Sequence, residues 1–161
     1  MPPGLGSYVA GDRRLSARLG AALMSIPAIK AIEFGLGTGY AASFGSEVHD
    51  AIYYAKDKGY YRKTNNAGGI EGGMSNGEPI LVRCTMKPIA TLGRPLDSVD
   101  ILNKRSAKAA VERYDTCAVE SAGVVAEAMM AFELAHAMAE KFGGDSMAEI
   151  KRNHRAYLRA L

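Results

Sequence analysis

The chain has 161 residues, 48% of them apolar and 23% charged, with a formal charge of +3 and a pI near 8.9. That is long enough for one domain with a real core, and the composition excludes a disordered or fibrous chain. The basic surplus is small and suits a small anionic ligand as well as anything larger. A nucleic-acid binder gathers its cations on one stripe, and only Lys151-Arg152-Asn153-His154-Arg155 is dense here.

The N-terminus, Met1 to Ser7, has neither the basic segment nor the apolar run of a signal peptide. After Gly11-Asp12, Leu15, Leu19, Ala22, Leu23 and Ile26 fall on one face of an amphipathic helix, which Pro27 stops. Ala28 to Phe34 reads as a strand running into Gly35, Gly37 and Gly39. Gly45 to Asp50 and the tyrosine-rich stretch Tyr53 to Tyr61 read as loop with short helix or strand. From Asn65 to Gly77 there are five glycines in thirteen residues. Ile80, Val82, Cys84 and Met86 then alternate with Leu81, Arg83 and Thr85, a period-2 strand that ends at Lys87-Pro88. Shorter strands are expected around Val99 to Ile101 and Lys108 to Arg113.

Val124 to Phe142 is a long helix rich in Ala, Met, Leu and Glu, stopped by Gly143-Gly144. Its apolar residues run almost all the way round, so it is expected to be the most buried helix, with His136 a packed core residue. Ser146 to Glu149 fits the capping box of another helix running toward Tyr157. Strands and helices alternate without a βαβ beat, so the fold class is α+β: long buried helices on antiparallel sheet, in one domain over residues 1–161. No 18 apolar residues run unbroken, so no membrane span is expected. Cys84 and Cys117 lie far apart with no metal-ligand spacing, which suits reduced thiols in the cytoplasm; no metal site is expected.

Three segments carry candidate chemistry. The glycine-rich segment around Gly72 lets backbone amides approach an anion, although neither nucleotide-binding glycine fingerprint is present; a mobile surface loop reads equally well from composition. Lys87-Pro88-Ile89-Ala90-Thr91, straight after a strand, offers an ammonium and a hydroxyl to a phosphate, or is a solvated Lys before a turn. Arg113 and Asp115 share a face if extended, as a phosphate fork and proton carrier or as a structural ion pair. Glu127, on an apolar helix, needs a partner and reads as a structural acid.

Ala22 to Lys30, Gly45 to Asp50, Thr64 to Gly77, Lys87 to Thr91 and Arg113 to Glu127, in this order and spacing, resemble chorismate synthase. Such enzymes remove phosphate and a proton from 5-enolpyruvylshikimate 3-phosphate in an anti-1,4 elimination, the step of the shikimate pathway that makes chorismate. They require reduced FMN although there is no net redox change. The resemblance implies half of a β-α-β sandwich and FMN contacts at Pro27, Ala28, Gly72, Lys87, Pro88, Ile89, Ala90, Thr91 and Arg113. It implies a catalytic, proton-relaying Asp115. It also implies a homotetramer and leaves open whether NADPH reduces the flavin on the same protein. Tyr114 departs from the Ser, His or Phe usual between that Arg and Asp. The family's N-terminal Ser-His motif, second histidine and flavin-binding Ser-Ala-Arg motif do not occur here; Ser16-Ala17-Arg18 lies inside the first helix without the flanking residues. The resemblance therefore implies the C-terminal part of the enzyme, inactive by itself, with the N-terminal part as its partner. A non-catalytic flavin-binding or oligomerisation module is the alternative; nucleic acid is not an expected partner.

Overall fold

A computed structural model describes residues 1–112 and 117–161. The architecture is α+β, as the patterning predicts. Helix α1 (Leu15–Met24) leads into strand β1 (Ile29–Phe34), followed by a short α2 (Gly45–Val48) and the hairpin β2 (Ile52–Ala55) and β3 (Gly59–Arg62). A tight turn joins β4 (Ile70–Glu71) to β5 (Met74–Ser75), then β6 (Val82–Met86) returns antiparallel to β1. A third hairpin, β7 (Asp97–Val99) and β8 (Ser106–Lys108), precedes the long α3 (Val119–Phe142) and the C-terminal α4 (Met147–Arg159). Among the described residues the strands form four separate antiparallel pairs rather than one sheet.

α1 is the centre of the core. Leu15, Leu19 and Leu23 are fully buried, at the spacing that places i, i+4 and i+8 on one helix face. Leu15 and Leu19 pack with Leu5, Ile70, Ala137 and Phe142. Leu23, Ile26 and Ile29 form a second cluster, against Val82, Cys84 and Met86 of β6 and Met129 and Met130 of α3. Arg18, on the flank of α1, ties it to α3 through Glu133 at 3.1 Å and Glu140 at 2.7 Å.

α3 departs from expectation. It begins five residues before Val124, and only Ala137 and Phe142 on it are buried. Val124 is 69% exposed and Phe132 68%, and His136 lies on the surface, 3.9 Å from Glu140. Glu127 is exposed as well, so it needs no buried partner. An apolar circumference predicts burial on all sides. Periodicity states that a face should be covered, not that this chain covers it, and here α1 and β6 cover one side only. By length and composition α3 could also cross a membrane.

Two strand boundaries shift as well. β7 ends at Val99, because Asp100 opens a turn through Ile101 and Leu102, and β8 begins at Ser106 rather than Lys108. α4 starts as its capping box predicts: the Ser146 hydroxyl accepts from the Glu149 amide, and the Glu149 carboxylate from the Ser146 amide.

Candidate functional site

The end of α1 and the end of β6 meet at one corner. Pro27 closes the helix, and Ala28 sits at φ 67°, a left-handed conformation that costs a non-glycine residue about 1–2 kcal/mol. That turn lets the Ala28 carbonyl accept the Lys87 amide at 2.7 Å. Pro27, Ala28 and Lys87, all expected site residues, thus adjoin. Lys87 and Pro88 are exposed and Ala28 is half-buried. Ile89, Ala90 and Thr91 continue into a stretch without regular structure, with Ile89 and Thr91 half-buried.

Gly72 lies elsewhere. Gly72 and Gly73 make the β4–β5 turn with φ of 58° and 86°, and the Gly73 carbonyl accepts the amide of Leu15, the first residue of α1. The two regions therefore stand at opposite ends of a ten-residue helix, about 15 Å of rise apart. A Cβ on Gly72 would meet nothing within 4 Å, so its backbone faces open space, as an anion cradle requires. Arg113 and Asp115 lie outside the described residues.

A buried carboxylate holds the glycine-rich segment. Asp50 accepts from the Thr64 hydroxyl at 2.6 Å and from the amides of Asn66 and Ala67 at 2.9 and 2.8 Å. Burial works against its charge, but those donors, with Arg62 nearby, outweigh it and keep the carboxyl below its usual range. The Asn66 carbonyl in turn accepts from Leu36, and Gly35 and Gly68 approach so closely that a Cβ on Gly68 would lie 2.3 Å from the Gly35 nitrogen. Glu33 pins the other side of that turn. It accepts from the Thr38 hydroxyl and amide and from Arg83, which lower its pKa to about 2.

Beside the corner, β1, β6 and α3 enclose a groove of about 250 Å³ lined by Ile29, Val82, Cys84, Met86, Ala126 and Glu127. The alternation of Val82, Cys84 and Met86 marks its floor in the sequence; the apolar circumference of α3 predicts a closed core there and so hides its wall. Burial pushes the Cys84 thiol upward, which makes it a packing residue rather than a nucleophile. A larger open hollow, about 810 Å³, lies under the Ile52, Tyr54, Tyr60 and Arg62 face of β2–β3. The sequence reading of Tyr53 to Tyr61 as loop with short helix or strand misses it; the period-2 spacing of those residues is the signal that could have found it. Among the described residues no three His, Cys, Asp or Glu side chains gather as metal ligands would.

The fold and these sites define a class: an α+β module with an open glycine turn at positive φ and a long apolar helix left open on one side. The profile of the chorismate synthase family matches residues 1–139, and the chain belongs to that family. It is 60% identical to the chorismate synthase of Desulforudis audaxviator over 158 residues, 98% of this chain and 40% of that protein. To the chorismate synthase of Geotalea uraniireducens it is 58% identical, over 98% of this chain and 42% of the relative. A solved structure of a chorismate synthase superposes with a TM-score of 0.81 at 45% identity, covering 99% of this chain and 40% of that one. The chain spans about two fifths of the length of the relatives it matches.

Proposed function

We propose that the chain is a single domain forming the C-terminal part of a chorismate synthase, a cytoplasmic lyase that eliminates phosphate from 5-enolpyruvylshikimate 3-phosphate. The observation that carries this reading is identity of 60% sustained over 98% of the chain. The residues present suit FMN. Lys87 presents an exposed ammonium next to a corner shaped by Ala28, and Gly72 offers open backbone at positive φ. Reduced FMN, when bound, supplies the electron density that helps phosphate leave. Lys87 and Arg113 would hold phosphate by charge, Pro27, Ala28 and Pro88 to Thr91 would shape the wall, and the Asp115 carboxylate would carry a proton. Because Gly72 and Lys87 stand at opposite ends of α1, a ligand touching both would have to run the length of that helix.

The partner is the remaining three fifths of the longer relatives, seated on the open side of α3. Arg18 binds Glu133 and Glu140 on the inner side of that helix, and Ala137 and Phe142 join the core, so its inner side is fixed to a protein domain. That arrangement favours a protein cover over lipid, although helix length alone would fit a membrane. The same open face supports a second reading, a flavin-binding or assembly half-module without turnover of its own. Fluorescence of oxidised FMN titrated with the chain decides whether this part holds a flavin site or serves assembly alone. Quenching that Lys87→Ala weakens at least about tenfold supports a site in this chain, as loss of a charged hydrogen bond would give. No quenching leaves assembly as the function of this part.

A further inference from the structure

The hairpin β2–β3 arranges four tyrosines as two cross-strand pairs. On the face toward the larger hollow, Tyr54 and Tyr60 are register partners and meet edge to face, with ring centroids 5.2 Å apart. Both rings still stand open to water, 65% and 73% exposed. The alternate pair, Tyr53 and Tyr61, carries ammonium groups instead: Lys63 lies 4.2 Å from the Tyr53 ring centre and Lys58 5.6 Å from that of Tyr61. Charge on the hairpin is one-sided. Between Tyr53 and Lys63 the cations Lys56, Lys58, Arg62 and Lys63 face a single carboxylate, Asp57. Among the described residues only Arg62 of the four is ion-paired, to Glu71 at 2.7 Å.

A lone exposed tyrosine means little. Two rings fixed against each other beside fixed cations are different, because a ligand finds a ring surface and a countercharge with little left to order. Arg62 also donates to the Asn76 carbonyl at 3.1 Å, and its Nε is buried with no partner among the described residues. A guanidinium so held has a set orientation and a donor still unused. The hollow of about 810 Å³ is lined by Tyr54, Tyr60, Lys58 and Arg62, with Ile52 and Glu78. That volume is of the order small-molecule sites have. None of its lining comes from α3, β6 or the Pro27–Lys87 corner, so it stands apart from the expected flavin contacts and from the open side of α3.

We infer that this hollow binds a small planar aromatic anion, its ring against Tyr54 and Tyr60 and its charged end toward Lys58 and Arg62. Aromatic rings favour offset and edge-on neighbours, which the tyrosine pair supplies in place. The surplus of cations on the hairpin selects an anion over a neutral or cationic ring. Glu78 opposes that charge and so limits the affinity, which gives the inference a sign to test. The inference goes beyond the enzymatic reading and holds whether or not the chain binds a flavin.

NMR of the full chain, titrated with benzoate to about 20 mM, tests it through the ring resonances of the tyrosines. The expected result is saturable shifts of Tyr54 and Tyr60 with a Kd on the order of 1 mM that weakens with added salt. Benzamide keeps the ring without the charge, and cyclohexanecarboxylate keeps the charge without the planar ring. Each should bind at least about fivefold more weakly than benzoate. Tyr60→Ala and Lys58→Glu should each weaken benzoate at least about fivefold without loss of fold, since both side chains are exposed, and circular dichroism checks that point. Glu78→Gln should tighten it, because a like charge is removed. Absence of saturation overturns the inference. So does binding indifferent to Tyr60→Ala or Lys58→Glu, equal binding of benzamide, weaker binding by Glu78→Gln, or binding lost with Lys87→Ala, which would put the probe at the flavin corner.

Discussion

Helices α1 and α3 have similar apolar content and opposite fates. α1 lays Leu15, Leu19 and Leu23 into a core sealed by β1, β6 and α3. α3 offers Val124, Val125 and Phe132 to water along the side away from that core. The difference lies in the supply of covering elements. α1 is short, and outside its buried stripe it exposes only Ala17, Ala21 and Met24, so it needs only what this chain provides. α3 is apolar all round, and this chain covers one side. A relative two and a half times longer has material for the other.

Substitutions on the two helices should separate them most sharply. Leu19→Ala opens a cavity in a fully buried cluster and should cost about 2–5 kcal/mol of unfolding free energy, measured by urea denaturation. Phe132→Ala removes a larger side chain from the exposed face and should stay within about 0.5 kcal/mol while reducing binding of an apolar dye. Comparable costs at both positions would break the contrast.

Asp50→Ala strands three donors at the base of the glycine-rich segment and should cost about 2–3 kcal/mol. Arg18→Ala should cost about 1–2 kcal/mol, the smaller figure reflecting the partial exposure of Glu140. Ser146→Ala removes the cap of α4 and should cost about 1 kcal/mol, visible as lost helicity. Glu33 sharpens the comparison through pH. Its folded pKa of about 2 lies below the ordinary value of 4.5, so its contribution is complete above pH 4.5 and fades as pH falls toward 2. Glu33→Gln should flatten the acid-side fall in stability across that window and leave the neutral side parallel to the parent.

Local signals made much of this legible. The i, i+4, i+8 leucines gave α1, the Ser146–Glu149 box gave the start of α4, and alternation from Ile80 to Met86 gave β6. What failed was partnership. The circumference of α3 could not say who covers it, and one tip residue, Asp100, moved a strand end that hydrophobic pattern placed at Ile101. Of the residues the resemblance names as FMN contacts, Pro27, Ala28 and Lys87 adjoin, because a left-handed Ala28 turns its carbonyl toward the end of β6. No local pattern predicts that φ, nor the span of α1 that parts them from Gly72. The Asp50 clamp was hidden too, since its donors lie fourteen to seventeen residues away.

On the proposed function, this chain is one part of an enzyme whose chemistry needs the rest. Chorismate formation, followed by absorbance under anaerobic conditions with photoreduced FMN and substrate, tests that directly. The chain alone should give no turnover, and addition of the part of the Desulforudis audaxviator protein that this chain does not match should restore it. General acid–base catalysis contributes about 10²–10⁴-fold, and the histidines expected to supply it belong to that other part. Turnover by the 161-residue chain alone would contradict the account.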